Sequence, residues 1–371
     1  MQFVRTENLK AGMRLARPIY NKNGVLLYER NTKLTMQGIF SIKNFGLIGI
    51  YILEPAEPVP PISDEDIEFE RFQTMAIFTL REILQAVTSG EEPSSLLRLT
   101  GEIMQSYGRL NHKINFMQNL RSSEDEVYKH SLNTAILAAL MSHRMRMGNS
   151  EQNNVVMAAL LHDVGKLMLA KEQGKAILRQ IEENEELLKQ SHQTGISLLT
   201  SAYDVKEEVR MIIAETLRKI DDKETKETGK GLEKAVELLY VAYAYDELTA
   251  MHLNAAPNSE VMAIRYLLDE QNGFNQDAVF ALIDSINILS PGICVELTNG
   301  EKGVILQENT GNVLRPMVLG FWDNQIYDLY YDEVFDKLQI KDLMKTMDNR
   351  FVIDKETVEE YKGQIVQKNR E

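Results

Sequence analysis

Val155-Val156-Met157-Ala158-Ala159-Leu160-Leu161 is an unbroken apolar run that ends abruptly in His162-Asp163-Val164-Gly165-Lys166. A helix that is apolar on every side belongs in a protein interior. An imidazole and a carboxylate delivered at the end of such a helix are costly to bury unless paired, hydrogen-bonded or bound to a metal. A neighbouring histidine and aspartate offer one nitrogen and one oxygen donor, a set suited to divalent iron, manganese or zinc. The run therefore calls for a helical domain that encloses a polar, metal-binding cluster.

The surrounding pattern supplies that domain. Residues 119–290 carry helical spacing almost throughout, broken near Gly148, Gly174, Gly229 to Gly231 and Pro257. Residues 1–55 read instead as a small β-rich N-terminal module. Ile19-Tyr20, Val25-Leu26-Leu27 and Gly49 to Leu53 are short strand-like runs set between the turn signals Lys10-Ala11-Gly12 and Asn21-Lys22-Asn23-Gly24. Thr35 to Phe45 is a candidate short helix. Residues 56–118 are a linker and helical connector: the prolines at 55, 58, 60 and 61 favour extended chain. Beyond them apolar spacing through Phe72, Phe78 and Leu84, with a break at Gly90 to Pro93, predicts two helices. They read as a connecting hairpin, with a signalling or dimerisation helix as the alternative. Residues 291–371 turn β-rich again. Cys294 to Leu297 and Gly303 to Leu306 flank Thr298-Asn299-Gly300, and Asn-Gly between strand-like runs is a strong hairpin signal. Leu314 to Phe321 predicts a third strand, and 340–371 a peripheral helix or loose tail. The expected fold class is mainly α, with a small β-rich N-terminal unit and a short β-rich C-terminal segment.

Composition narrows the function. A net charge of −14 argues against nucleic-acid polymers and anionic membranes, which call for clustered positive charge. One cysteine, Cys294, excludes an intramolecular disulfide and a thiolate metal cluster. No run approaches the roughly 18 apolar residues of a membrane span, and MQFVRTENLKAGM lacks a signal peptide's apolar core. A cytoplasmic location is the expectation, and the long helical connector is compatible with a homodimer.

Two further stretches bear on the cluster. Glu126 and His130 stand four residues apart, on one helical face that continues through Leu132, Ala135, Ala138 and Met141. Ser191-His192-Gln193-Thr194-Gly195 opens another amphipathic stretch. Taken alone, His192 is read first as a satisfied core histidine. His112, His143 and His252 are read as structural or surface residues.

At these residues the chain resembles the HD superfamily of metal-dependent phosphohydrolases, and more narrowly the HD-GYP family. Tyr128 to Asn133, Ala158 to Lys166 and His192 to Gly195 match that family's blocks in order and spacing. Leu9 to Pro18 resembles a module often joined to such domains, as does Leu297 to Val304 with Arg315-Pro316. The resemblance implies an HD-type helical bundle and a metal-activated hydroxide attacking the phosphodiester of cyclic di-GMP, with iron or manganese as cofactor. It also implies metal ligation by Glu126, His130, His162, Asp163 and His192, and catalytic roles for Asp163 and for Lys166, the latter as a contact to the ligand phosphate.

The chain departs from that pattern on one side of the cluster. Where the signature HHExxxGxGYP belongs stands Ala214-Glu215-Thr216-Leu217-Arg218-Lys219-Ile220-Asp221-Asp222, without the histidine pair or the Gly-Tyr-Pro loop. Glu215 is a candidate substitute for one lost histidine. In Val241-Ala242-Tyr243-Ala244-Tyr245-Asp246, Tyr243 occupies the position of a ligand aspartate and Asp246 matches the family's second, non-ligand aspartate. Three readings follow. The first is a metal-binding receptor or scaffold for a cyclic dinucleotide, with weak or no hydrolysis. The second is an active phosphodiesterase with a rearranged metal set, and the third a purely structural helical module.

Overall fold

The computed structural model describes residues 2–20, 25–45, 47, 49–53, 63–118, 121–122, 125–201, 205–222, 231–250, 257–322 and 325–344. Its N-terminal unit holds the strands β1 (Gln2–Arg5), β2 (Arg14–Leu15), β3 (Ile19–Tyr20), β4 (Leu26–Tyr28) and β5 (Gly49–Leu53), with the helix α1 (Met36–Asn44) before β5. The order β1-β5-β2 makes one antiparallel sheet, and β3-β4 a separate pair. α1 starts where the sequence places it because the Thr35 hydroxyl accepts the Gly38 N–H, satisfying one of the free donors of the first turn. Leu15, Ile19, Ile39, Ile42 and Ile50 form this unit's own apolar core. The turn expected at 21–24 and the proline-rich 54–62 lie outside the described residues.

Two helices follow, α2 (Asp64–Ser89) and α3 (Leu96–Ser106). Ser63 and Asp66 close a reciprocal capping box at the start of α2, and Gly90 ends it at φ 77°, a left-handed conformation that favours glycine. Leu80, Ile83 and Leu84 of α2 and Leu99 and Ile103 of α3 are buried in the same core as the helices that come next. Those are α4 (Glu126–Arg144), α5 (Asn149–Leu161), α6 (Val164–Gln173), α7 (Ile177–Glu183), α8 (Glu185–Ser201), α9 (Glu207–Asp221), α10 (Glu233–Thr249), α11 (Glu260–Leu268) and α12 (Gln276–Ile283).

α4 is the central column. Every residue from Ser131 to Ser142 is buried, and the helix packs on α2, α5, α10 and α12. Its main partner is α5, and Ala135, Ala138 and Ala139 of α4 and Ala158 and Ala159 of α5 are all fully buried. Leu132, Leu137, Leu160 and Leu161 are fully enclosed, each contributing roughly 1.5–3 kcal/mol of burial. α6 and α8 come closer still. Gly165 has no room for a Cβ, which would stand 1.9 Å from the Ser191 carbonyl oxygen.

The C-terminal sheet has the order β10-β6-β7-β8-β9, with β6 (Cys294–Leu297), β7 (Lys302–Gln307), β8 (Met317–Gly320), β9 (Ile326–Asp328) and β10 (Ile340–Leu343), and the short helix α13 (Asp332–Phe335). The expected hairpin is present, with Cys294 opposite Val304, Glu296 opposite Lys302 and Gly300 at φ 82°. The third strand begins only at Met317, because Asn309 and Asn312 hold the preceding residues in side-chain-capped turns. The helix or tail expected from residue 340 is corrected over its first residues. Ile340 to Leu343 pair with β6, and Ile340 is fully buried in the main core. An edge strand of mixed polar pattern lacks the alternation that identifies strands in sequence. Residues 345–371 lie outside the described residues. Among the described residues, no helix is long and apolar enough to cross a membrane.

Candidate metal centre

The apolar run forms α5, and it ends where the sequence changes character. His162 is its C-cap and Asp163 the N-cap of α6, so the turn between two helices presents both side chains inward. His130 faces them from α4. One donor atom each from His130, His162 and Asp163 lies within 4.8 Å of the others, and all three residues are at most 2% exposed.

The hydrogen bonds decide which imidazole nitrogen is available. His162 Nδ1 donates to the Ala159 carbonyl at 2.7 Å, and His130 Nδ1 donates to Asp246 Oδ2 at 2.6 Å. Each ring therefore turns Nε2 toward Asp163, at 3.7 Å from Oδ1 for His162 and 3.9 Å from Oδ2 for His130. His130 Nε2, His162 Nε2 and Asp163 Oδ1 are buried atoms without a hydrogen-bond partner. Buried polar atoms are seldom left unpaired, and three that converge make a cradle for a cation. Two imidazole nitrogens and one carboxylate oxygen fit a borderline divalent metal.

The protonation states agree with that role. Burial pushes the His162 imidazole down to about 4, more than offsetting the pull of Asp163. The ring is therefore neutral near pH 7, as a ligand must be. Burial would raise the Asp163 carboxyl, yet Lys166 and the two histidines hold it well below the usual carboxylate range. Lys166 Nζ sits 2.8 Å from Asp163 Oδ2, and this pairing raises the ammonium's pKa despite burial.

Behind His130 lies a polar network. Asp246 Oδ2 accepts from His130 and Arg121, while Asp246 Oδ1 accepts from Asn133 at 2.9 Å and Gln118 at 3.0 Å. Burial works to raise Asp246, but Arg121 and His130 hold it well below the normal carboxylate range. Asp246 thus fixes the tautomer and orientation of His130, the arrangement that outer carboxylates commonly give to histidines of metal sites.

The other candidate residues fall around this cluster. His192, on α8 and 2% exposed, donates from Nδ1 to Asp221 Oδ1 at 2.7 Å, and its Nε2 is also buried without a partner. Burial, with Lys166 next, lowers its pKa. Its donor atoms stand outside the three-residue group. Glu126 lies in the first turn of α4, close enough to Arg121 to raise the pKa of that guanidinium, and does not join the group. Glu215 is ion-paired with Arg218 on its own helix. Tyr243, on α10, packs edge-on against both imidazoles, with ring centroids 4.7 Å from His130 and 5.5 Å from His162. Burial, with Glu247 next, pushes its phenol well above 10. His112 pairs with Glu65 and His143 with Asn111, both at the surface, and His252 lies outside the described residues.

Sequence reasoning missed Arg121, Gln118 and Asp221. Asn133, one turn from His130 on the same helix face, carried a usable signal. Gln118 and Arg121 precede α4 in irregular chain, where no periodicity marks an inward side chain.

A helical bundle that brings a histidine of one helix onto the His-Asp turn of another defines a class of metal-binding helical domain, and residues 127–251 match the model of the HD domain. The matched stretch, about a third of the chain, holds an HD domain. The chain is similar to a cyclic di-GMP phosphodiesterase of Pseudomonas aeruginosa, with 23% identity over 231 residues, 60% of this chain and 55% of that protein. The match thus spans about half the length of the curated relative. A solved structure, an HDG"Y"P protein from Bdellovibrio bacteriovorus, aligns with a TM-score of 0.42 at 15% identity, covering 76% of this chain and 98% of that one.

Proposed function

We propose that the chain is a degenerate HD-GYP-like protein of cyclic-dinucleotide signalling that holds one divalent metal and acts as a receptor or scaffold, with weak or no hydrolysis. His130, His162 and Asp163 would hold the metal, iron or manganese. A metal bound there supplies a Lewis acid for a phosphate oxygen of the nucleotide. Asp246 keeps His130 in the tautomer that frees Nε2, and Lys166 keeps Asp163 ionised. The observation that carries this reading is the convergence of three buried, unpartnered donor atoms beside Tyr243, an aromatic ring where the family pattern has a ligand aspartate. Stabilising both attacking and leaving oxygens takes two metals, and a neutral phenol offers the second metal nothing equivalent to a carboxylate.

An active phosphodiesterase with a rearranged metal set is the second reading. It is favoured by His192, whose unpartnered Nε2 and Asp221-bound Nδ1 repeat the arrangement of His130 with Asp246. One experiment separates the two. The chain is purified without chelator, its metal content measured per chain, and cyclic di-GMP turnover assayed with added iron or manganese. Bound metal and nucleotide without turnover supports the receptor reading. Turnover that a His162→Ala, Asp163→Ala double substitution abolishes overturns it, and absence of both metal and nucleotide leaves a structural module.

A further inference from the structure

The N-terminal unit touches the segment that supports the metal centre. An Arg17 guanidinium nitrogen donates to the Gln118 carbonyl at 2.6 Å, and the guanidinium lies over the Tyr51 ring of β5, 4.7 Å from its centroid. Four residues further on, Ser122 forms an isolated antiparallel bridge with Leu47 of the same unit. The N-terminal unit therefore holds the segment at Gln118 and again at Ser122. Between these two points of attachment lies Arg121, whose side chain is fully buried.

That segment supplies two of the four donors on Asp246. Gln118 Nε2 bonds Oδ1 and Arg121 bonds Oδ2, while Asn133 and His130 complete the set. Asn133 also donates to Gln118 Oε1 at 2.9 Å. A continuous path thus runs from Arg17 through Gln118 and Asp246 to His130, and every link past the first joins buried side chains. Within a low-dielectric interior such groups have no water to turn to, so displacing one obliges its partners to move or go unpaired. Gln73 of α2 grips the inner side, donating to the Met117 carbonyl at 3.2 Å and to Asn133 at 3.0 Å, while Arg17 holds Gln118 itself from the N-terminal side.

We propose that Arg17 is a positioning residue for the metal ligand His130, acting through Gln118 and Asp246, so that the N-terminal unit sets the geometry of the metal centre. The inference rests on the metal-binding reading above. Its physical basis is that the carboxylate bonded to Nδ1 of a ligand histidine orients the ring and raises the basicity of Nε2. A segment released at Gln118 loosens half of the donors that hold that carboxylate.

The test is a double-mutant cycle on manganese(II) affinity in the full chain, read by chelator competition and by the resonance spectrum of the bound ion. Asp246→Asn weakens binding by roughly tenfold or more, and Arg17→Ala by about threefold to tenfold. Arg17→Lys recovers part of that loss by keeping one donor. In the Asp246→Asn background, Arg17→Ala has no further effect. Should Arg17→Ala fail to fold in a metal-free thermal melt, Gln118→Met takes its place, since it keeps the backbone acceptor and removes the link to Asp246. Wild-type affinity in Arg17→Ala, or an equal loss in both backgrounds, overturns the proposal while the metal reading stands. No manganese bound by the wild-type chain overturns both.

Discussion

Gly165→Ala is a single methyl group placed against backbone. In the native chain the added Cβ stands 1.9 Å from the Ser191 carbonyl oxygen and 2.6 Å from the Gly195 nitrogen. Ordinary contact begins near 3.4 Å, so α6 and α8 must part by the difference from 1.9 Å, about 1.5 Å. Overpacking by a methylene costs roughly 1–3 kcal/mol where side chains can adjust. Here the obstacle is a peptide group, and the upper end applies, about 3 kcal/mol. Alanine's better helix propensity offsets about 1 kcal/mol, leaving a net loss of about 2 kcal/mol. For a chain of 371 residues that lowers the melting temperature by about 2–3 °C. Gly195→Ala is the internal control. Its Cβ meets nothing nearer than 3.1 Å, at the Gly165 nitrogen, and its helix-propensity gain roughly cancels the mild crowding. Thermal and urea unfolding of the metal-free protein, run side by side, decide the matter. A Gly165→Ala chain within 0.5 kcal/mol of wild type, or as stable as Gly195→Ala, would refute the close approach of α6 and α8.

Four further outcomes follow from the same geometry. Asp163→Ala strands the Lys166 ammonium, 14% exposed at its side chain. It should cost about 3 kcal/mol, most of it recovered when Lys166→Met is added; a double variant no more stable than the single one counts against the pairing. Tyr243→Asp should raise the metal-to-chain ratio measured by elemental analysis, whereas Tyr243→Phe should not, and equal ratios in all three chains would sink the idea that Tyr243 limits the count. Excess manganese should stabilise the chain by about 2.7 kcal/mol at a free concentration one hundred times Kd, and His130→Ala should erase that gain; an equal upward shift of Tm in both rules out His130 as a ligand. Burial pushes the Cys294 thiol up to about 11, and the residue is fully enclosed. The reactive thiolate is therefore scarce at pH 8 and increases only as pH rises toward that value. Iodoacetamide at pH 8 should label the unfolded chain and spare the native one, and stoichiometric native labelling would contradict the burial.

Local features were legible in the residues themselves. The apolar run to Leu161 and its His162-Asp163 end marked a buried helix and the donors it delivers, because cost of burial is a property of residue type. Thr35 announced α1 and Asn299-Gly300 the C-terminal hairpin, since caps and tight turns are decided within four residues. Neither Arg121 nor Gln118 carried such a mark. Their importance depends on Asp246, more than a hundred residues away in the chain, and no period connects them. The strand at Ile340 to Leu343 was likewise unreadable, because its order comes from pairing with Cys294 to Leu297.

The sequence by itself determined that this chain buries a histidine and an aspartate at the end of an apolar helix, and that a tyrosine stands where an aspartate ligand is expected. Only the tertiary structure decided which nitrogen of each imidazole is free, that Lys166 rests on Asp163, and that Tyr243 lies edge-on against both rings. The physical reason is range. Helix periodicity and burial cost act through neighbours along the chain, whereas the orientation of a donor is set by partners that only packing brings within hydrogen-bond distance.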